Sequence, residues 1–255
     1  MAKISICIEM IFSDSDLYDR PAKVADAGFG AIEFWGYGNK DLPKMKAACD
    51  EAGVAVAGIL GPAGVSFVQE EPEDKVTAAM KDACAAAAQL DAPAMIVTVG
   101  NEVEGVSREE QTDNIVDNLK ACAPVAEDAG LKLAVEPLNT LVDHMGYFLD
   151  RTADGAAICE RVGSPAVGLL YDVYHMQIME GNLIATIREH AALLHHVHIA
   201  DVPGRYEPGT GEINYAAVLA ALDEAGYDGW CGFEFRPSDS PEAALARAKN
   251  ACGLQ

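Results

Sequence analysis

The run Val167-Gly168-Leu169-Leu170-Tyr171-Asp172, the helical stretch Leu183–Ala192 and the run Leu194-His195-His196-Val197-His198-Ile199-Ala200 decide how this chain folds. The first run is apolar until it ends in an acid, as expected of a strand buried on both faces of a parallel sheet. The last interleaves histidine with Val and Ile, and the helical stretch between them completes one βαβ unit. The same alternation extends in both directions. Upstream lie strand-like runs at Ile4–Met10, Ala31–Trp35, Val54–Leu60, Ala94–Val99 and Lys132–Glu136, and downstream one at Trp230–Phe235. The remaining helical stretches are Asp16–Ala27, Asp41–Ala52, Glu73–Leu90, Arg108–Ala129, Thr152–Val162, Tyr215–Ala225 and Pro241–Ala251. Gly28, Gly53, Gly130 and Gly226 each follow the last periodic residue of a helix, where a left-handed stop is wanted. Eight units in 255 residues predict an α/β protein, a closed (β/α)8 barrel running over 1–255 as one domain. The rival, an open doubly wound sheet, usually carries a glycine-rich phosphate loop after its first strand. Here that strand runs into Glu9-Met10-Ile11-Phe12-Ser13-Asp14, without GxGxxG, and no Walker-type GxxxxGK[ST] occurs anywhere.

Composition narrows the function classes. Lys and Arg number 18 against 40 Asp and Glu, a net charge of −22. Such a surface repels phosphate backbones and anionic lipid, so neither nucleic acid nor membrane is expected as a partner. The seven cysteines are odd in number, widely spaced and without a CxxC pair, which points to buried thiols in a reducing compartment. No apolar run reaches the roughly 18 residues of a membrane span and the N-terminus has no signal-peptide core. A cytoplasmic location is expected. The outer helices offer faces for a homo-oligomer, a dimer or a tetramer.

In a barrel of this kind the chemistry gathers at the C-terminal ends of the strands. Four successive strands end in a metal-ligating type: Glu136 on the fifth, Asp172 on the sixth, His198 on the seventh and Glu234 on the eighth. Three carboxylates converging at one mouth repel each other unless a cation neutralises them. A mixed oxygen and imidazole set suits Mn²⁺ or Mg²⁺, with Co²⁺ or Zn²⁺ as alternatives. Strand alternation puts His196 on the face of His198 but deeper, where a structural role is expected, and His195 on the other face. His175 lies three residues beyond Asp172, on what reads as a loop at the mouth, placed to bind a substrate hydroxyl. Arg205 crowns the Pro-Gly-rich loop after the seventh strand, and its planar fork of donors suits a substrate carboxylate or hydroxyl. His144 and His190 read as surface groups. Phe12 and the run Phe34-Trp35-Gly36-Tyr37 read as core aromatics, with walls of the pocket as the alternative, and Glu33 as an acid facing the barrel interior.

The runs Tyr171–Asn182, His198–Asp201 and Glu212–Tyr215, with Glu136-Pro137-Leu138-Asn139 and Gly146–Leu149, closely resemble the hydroxypyruvate isomerase family. More broadly the chain resembles the xylose isomerase-like TIM-barrel superfamily over essentially its whole length. The resemblance implies a metal-dependent isomerase acting on a small hydroxy-carbonyl compound, hydroxypyruvate to tartronate semialdehyde, by proton transfer through an enediolate. It implies Glu136, Asp172, His198 and Glu234 as metal ligands, Glu136 and Glu234 as catalytic acid and base, and His175 and Arg205 as substrate contacts. Two positions depart from the isomerase pattern: His198 stands where those enzymes usually carry Gln and ketose 3-epimerases carry His, and Met145 where Pro is usual. A ketose 3-epimerase of the D-allulose or D-tagatose type is therefore the alternative, ahead of other keto-sugar reactions and of a non-catalytic sugar-binding module.

Overall fold

The structure, a computed structural model, describes residues 3–254. The ends of the expected 1–255 domain, Met1, Ala2 and Gln255, lie outside the described residues. Eight strands, β1 (Lys3–Cys7), β2 (Ala31–Phe34), β3 (Ala55–Leu60), β4 (Ala94–Val97), β5 (Lys132–Val135), β6 (Val167–Asp172), β7 (Leu194–Ile199) and β8 (Trp230–Phe233), form a closed barrel in chain order. All eight pairings are parallel, and β1 closes onto β8 through Lys3 with Trp230 and Ile6 with Phe233. Around them run α1 (Arg20–Asp26), α2 (Leu42–Ala52), α3 (Glu73–Leu90), α4 (Arg108–Ala129), α5 (Thr152–Val162), α6 (Val173–Met179), α7 (Leu183–His190), α8 (Tyr215–Glu224) and α9 (Pro241–Cys252). Among the described residues no helix is long and apolar enough to cross a membrane.

Three expected boundaries shift, each for a local reason. Strand β1 stops at Cys7, and the amides of Met10 and Ile11 turn back to the Cys7 carbonyl. Helix α1 starts at Arg20 rather than Asp16, because Pro21 sits in its first turn and the buried Arg20 guanidinium ties down the carbonyls of Ile8, Ser13 and Ser15. After β6 the chain does not enter a loop. Asp172 accepts the His175 amide at 3.1 Å and caps α6, a seven-residue helix too short to show periodicity in sequence. A 3-10 turn at Ala191–Leu193 also precedes β7.

The main core lies between strands and helices, where Ile6, Ile32, Leu133, Leu169, Val197 and Phe233 are fully buried. A second, smaller cluster of Ile96, Ala134 and Leu170, with Leu60 against it, comes from β3 to β6. Alternation along each strand makes these the lumen-facing residues two positions below Thr98, Glu136 and Asp172. On β1, β2, β7 and β8 the equivalent space holds Ser5, Glu33, His196 and Gly232. The floor under the mouth is thus apolar on one side and polar on the other.

Candidate active site

Glu136 and Glu234 directly follow β5 and β8, and Asp172 and His198 lie at the ends of β6 and β7. One ligand atom from each of the four lies within 4.8 Å of the others, and all four side chains are buried. His198 Nδ1 is 3.3 Å from Glu136 Oε1, 3.4 Å from Glu234 Oε2 and 3.8 Å from Asp172 Oδ2. It is aimed into the acids yet makes no hydrogen bond among the described residues. Three carboxylates and a buried, unpartnered imidazole nitrogen pointing at one spot fit a divalent cation of the hard or borderline class.

Charge explains the state of these groups. Burial, joined by the like charges of Glu234 and Asp172, outweighs the pull of His198 on the Glu136 carboxyl, which is pushed up to about 7. Burial alone would lower His198, but Glu234, Glu33 and Glu136 hold its imidazole well above the usual histidine range. Arg205 brings a second positive group: its Nη2 meets Glu234 Oε2 and lies 3.8 Å from Asp172 Oδ2, while its Nε is buried without a partner among the described residues.

His175 belongs to the first turn of α6 rather than to a loop, and it is fully buried. Its Nδ1 receives two donors, the Asn139 backbone N–H at 3.2 Å and Asn139 Nδ2 at 2.6 Å. An imidazole nitrogen facing two donors must be the acceptor, so the ring proton sits on Nε2. Burial and the nearby Arg205 keep the ring neutral, well below its ordinary pKa. Nε2 lies 3.5 Å from Asp172 Oδ2 and is left free as a donor at the cavity. Asn139 is itself pinned, its Oδ1 accepting the amides of Val142 and Asp143 and its Nδ2 reaching Asp143 Oδ2.

A cavity of about 440 Å³ opens above the acids, lined by Trp35, Leu60, Thr98, Leu138, Asp143, His144, Arg236 and the site residues Glu136, His175, Arg205 and Glu234. Two sequence expectations change here. Trp35 takes the alternative reading, a wall of the pocket rather than a core aromatic: it is 42% exposed and its indole N–H donates to Glu234 Oε1 at 2.7 Å. Lys40 fixes that turn by donating to the carbonyls of Trp35 and Gly36 while pairing with Glu9 at 2.8 Å. His144 is a wall of the cavity rather than a surface group, with its ring 5.2 Å from that of His175. Phe12, by contrast, is buried in the core as expected.

The loop bearing Arg205 is organised by Asp201. Its carboxylate accepts four backbone amides, Val202 and Ile213 on Oδ1 and Gly209 and Gly211 on Oδ2, at 2.9–3.1 Å. Any Cβ at Gly211 would overlap the Val202 carbonyl, so glycine alone passes there. Arg205 holds a left-handed φ of +58°, a conformation that non-glycine residues adopt only where surroundings impose it. Its amide bonds to the Asp201 carbonyl and its carbonyl accepts from Arg236. Replacing Asp201 with Ala removes the acceptor of four backbone amides, that of Ile213 buried and the other three part-buried, at about 1 kcal/mol each. The expected result is a melting temperature lower by roughly 5–15 °C together with a raised KM, measured by thermal unfolding and steady-state kinetics.

Comparison with known proteins places this geometry among relatives. The family model described as xylose isomerase-like TIM barrel matches residues 21–251. A curated hydroxypyruvate isomerase from Escherichia coli is 33% identical, covering 96% of this chain and 97% of its own. A 2-oxo-tetronate isomerase from Cupriavidus necator is 30% identical over 98% of both chains. Among solved structures, one from Brucella melitensis described as an AP endonuclease of family 2 superposes with a TM-score of 0.90 at 28% identity, covering 96% of this chain and 97% of that one.

Proposed function

The chain belongs to the xylose isomerase-like TIM barrel family and is an isomerase, and from that premise we propose that it interconverts hydroxypyruvate and tartronate semialdehyde. The observation that carries the reading is the juxtaposition of two buried glutamates, Glu136 and Glu234, at a cavity whose wall also holds two guanidinium groups. Relatives named for hydroxypyruvate and for 2-oxo-tetronate, both carboxylate-bearing carbonyl compounds, support an anionic substrate met by Arg205 and Arg236. A nucleic-acid substrate is disfavoured by the net charge of −22.

The reaction moves a carbonyl by one carbon. The C3–H bond breaks to a carboxylate, its electron pair becomes the C2–C3 double bond, and the C2 oxygen is protonated. The O3–H proton then leaves as C3 becomes the aldehyde, and C2 receives a proton. Glu136 and Glu234 are the groups that take up and return these protons, one at each carbon. His175 Nε2–H, neutral and held by Asn139, donates to a substrate oxygen, and Arg205 grips the carboxylate or a hydroxyl. Glu136, Asp172, His198 and Glu234 would hold a divalent cation, Mn²⁺ or Mg²⁺ before Co²⁺ or Zn²⁺, which when bound polarises the carbonyl and acidifies the neighbouring C–H.

Incubating the cation-loaded protein with hydroxypyruvate in D₂O tests the reading by NMR. Tartronate semialdehyde carrying deuterium at C2 is the expected product. No product from hydroxypyruvate, with inversion of a ketohexose at C3 instead, would replace this reading with the epimerase one. The acidic site and surface make a neutral ketose the natural competitor, since it enters without opposing that field.

A further inference from the structure

Directly beneath His198, inside the barrel, lies a carboxylate that the proposed proton transfers do not use. Glu33 on β2 is fully buried, and a register shift between Ile32 and Glu33 against β3 falls at this point of the strand. Its Oε2 accepts from Ser5 Oγ at 2.7 Å and meets His196 Nε2 at 2.9 Å. Its Oε1 faces His198 Nε2 at 2.9 Å, and neither atom has another partner among the described residues. Each is thus the only group available to satisfy the other. Gly232 makes the room: a Cβ there would overlap Glu33 Oε1.

We propose that Glu33 is a positioning residue that makes His198 a cation ligand through Nδ1. The inference rests on the cation reading of the four-residue site. Glu33 accepts the Nε2 proton, so the other nitrogen carries the lone pair and points between Glu136, Asp172 and Glu234. A carboxylate behind a ligating histidine fixes its tautomer and ring orientation and raises its basicity. His196, whose ring stands edge-on to that of His198 at 5.1 Å, holds Glu33 from the other side and keeps the carboxylate from turning away. The polar half of the lumen floor thereby acquires a task, because it lies under the histidine ligand and not under Glu136 or Asp172, whose floor is apolar.

Glu33→Gln and Glu33→Ala test this. Mn²⁺ affinity, measured by competition against a chelator, is expected to fall about tenfold in Glu33→Gln and up to about a hundredfold in Glu33→Ala, the usual cost of losing such a partner. The isosteric Gln variant keeps the volume and guards against a collapse that Ala alone would cause. With Zn²⁺ bound, long-range ¹H–¹⁵N NMR of the parent is expected to show His198 protonated on Nε2, with that signature altered in Glu33→Ala. A purely structural role would lower the melting temperatures of the metal-free and Mn²⁺-loaded proteins equally, leaving affinity unchanged. Affinity within twofold of the parent in both variants would overturn the proposal. A parent protein that binds no divalent cation would overturn the cation reading itself, and the inference with it.

Discussion

Glu136→Gln and Glu234→Gln are each expected to lower turnover of the isomerised substrate by about 10²- to 10⁴-fold, the range for removing a positioned acid or base. Glutamine has the same shape but neither takes up nor returns a proton at these atoms. The fold is expected to survive, because neither carboxylate supports it: Glu136 contributes repulsion, and Glu234 is held by Trp35, Arg205 and Cys7 at the cavity. The sign for Glu136 follows from its raised pKa. A carboxyl whose folded pKa of about 7 exceeds its ordinary value binds protons more tightly when folded, so ionising it at pH 8 costs stability. The metal-free Glu136→Gln protein is therefore expected to melt no lower than the parent at pH 8. Because each substitution also removes a candidate cation ligand, turnover is to be measured with cation titrated to saturation. Either variant retaining more than about a tenth of parental turnover would remove that glutamate from the proton-transfer roles.

The sequence carries the site's outline for a physical reason and hides its supports for another. Glu136 and Glu234 stand out because each interrupts an apolar run at the point where a parallel strand leaves the barrel, and strand ends are where solvent and chemistry begin. The eight-fold alternation is legible because buried parallel strands and amphipathic helices have different periods. Glu33 carries no such mark. It is one acid within Ala31-Ile32-Glu33-Phe34, and its partner His196 lies 163 positions away, so only closure of the barrel reveals what it faces. Trp35 is similar: its contact with Glu234 spans 199 positions, and an aromatic after a strand reads equally well as core. His175 reads from sequence as a loop residue at the mouth and lies instead in a helix, because seven residues capped by Asp172 show too little periodicity to distinguish from a loop.

The acidic balance of the chain and the acidic cluster of the site together set the second large effect, the response to a divalent cation. In the metal-free protein three buried carboxylates face His198, whose imidazole its neighbours hold well above the usual histidine range, and Arg205, drawn onto Glu234. A cation bound by the native site and absent from the unfolded chain stabilises by mass action, about 2.7 kcal/mol at a hundredfold excess over Kd. For a barrel of this size that corresponds to a rise in melting temperature of roughly 5–10 °C. Chelation is expected to abolish isomerisation, and Mn²⁺ or Mg²⁺ to restore it. The same ion relieves the repulsion that an anionic substrate meets on entering a chain of net charge −22, so KM as well as kcat should depend on its concentration. Cation binding also competes with protons on Glu136 and His198, so the thermal shift is expected to shrink as pH falls below about 7. Unchanged melting with Mn²⁺, Mg²⁺, Co²⁺ and Zn²⁺ at millimolar concentration, together with isomerisation that survives chelation, would show that these four side chains hold no ion and that their convergence serves proton transfer alone.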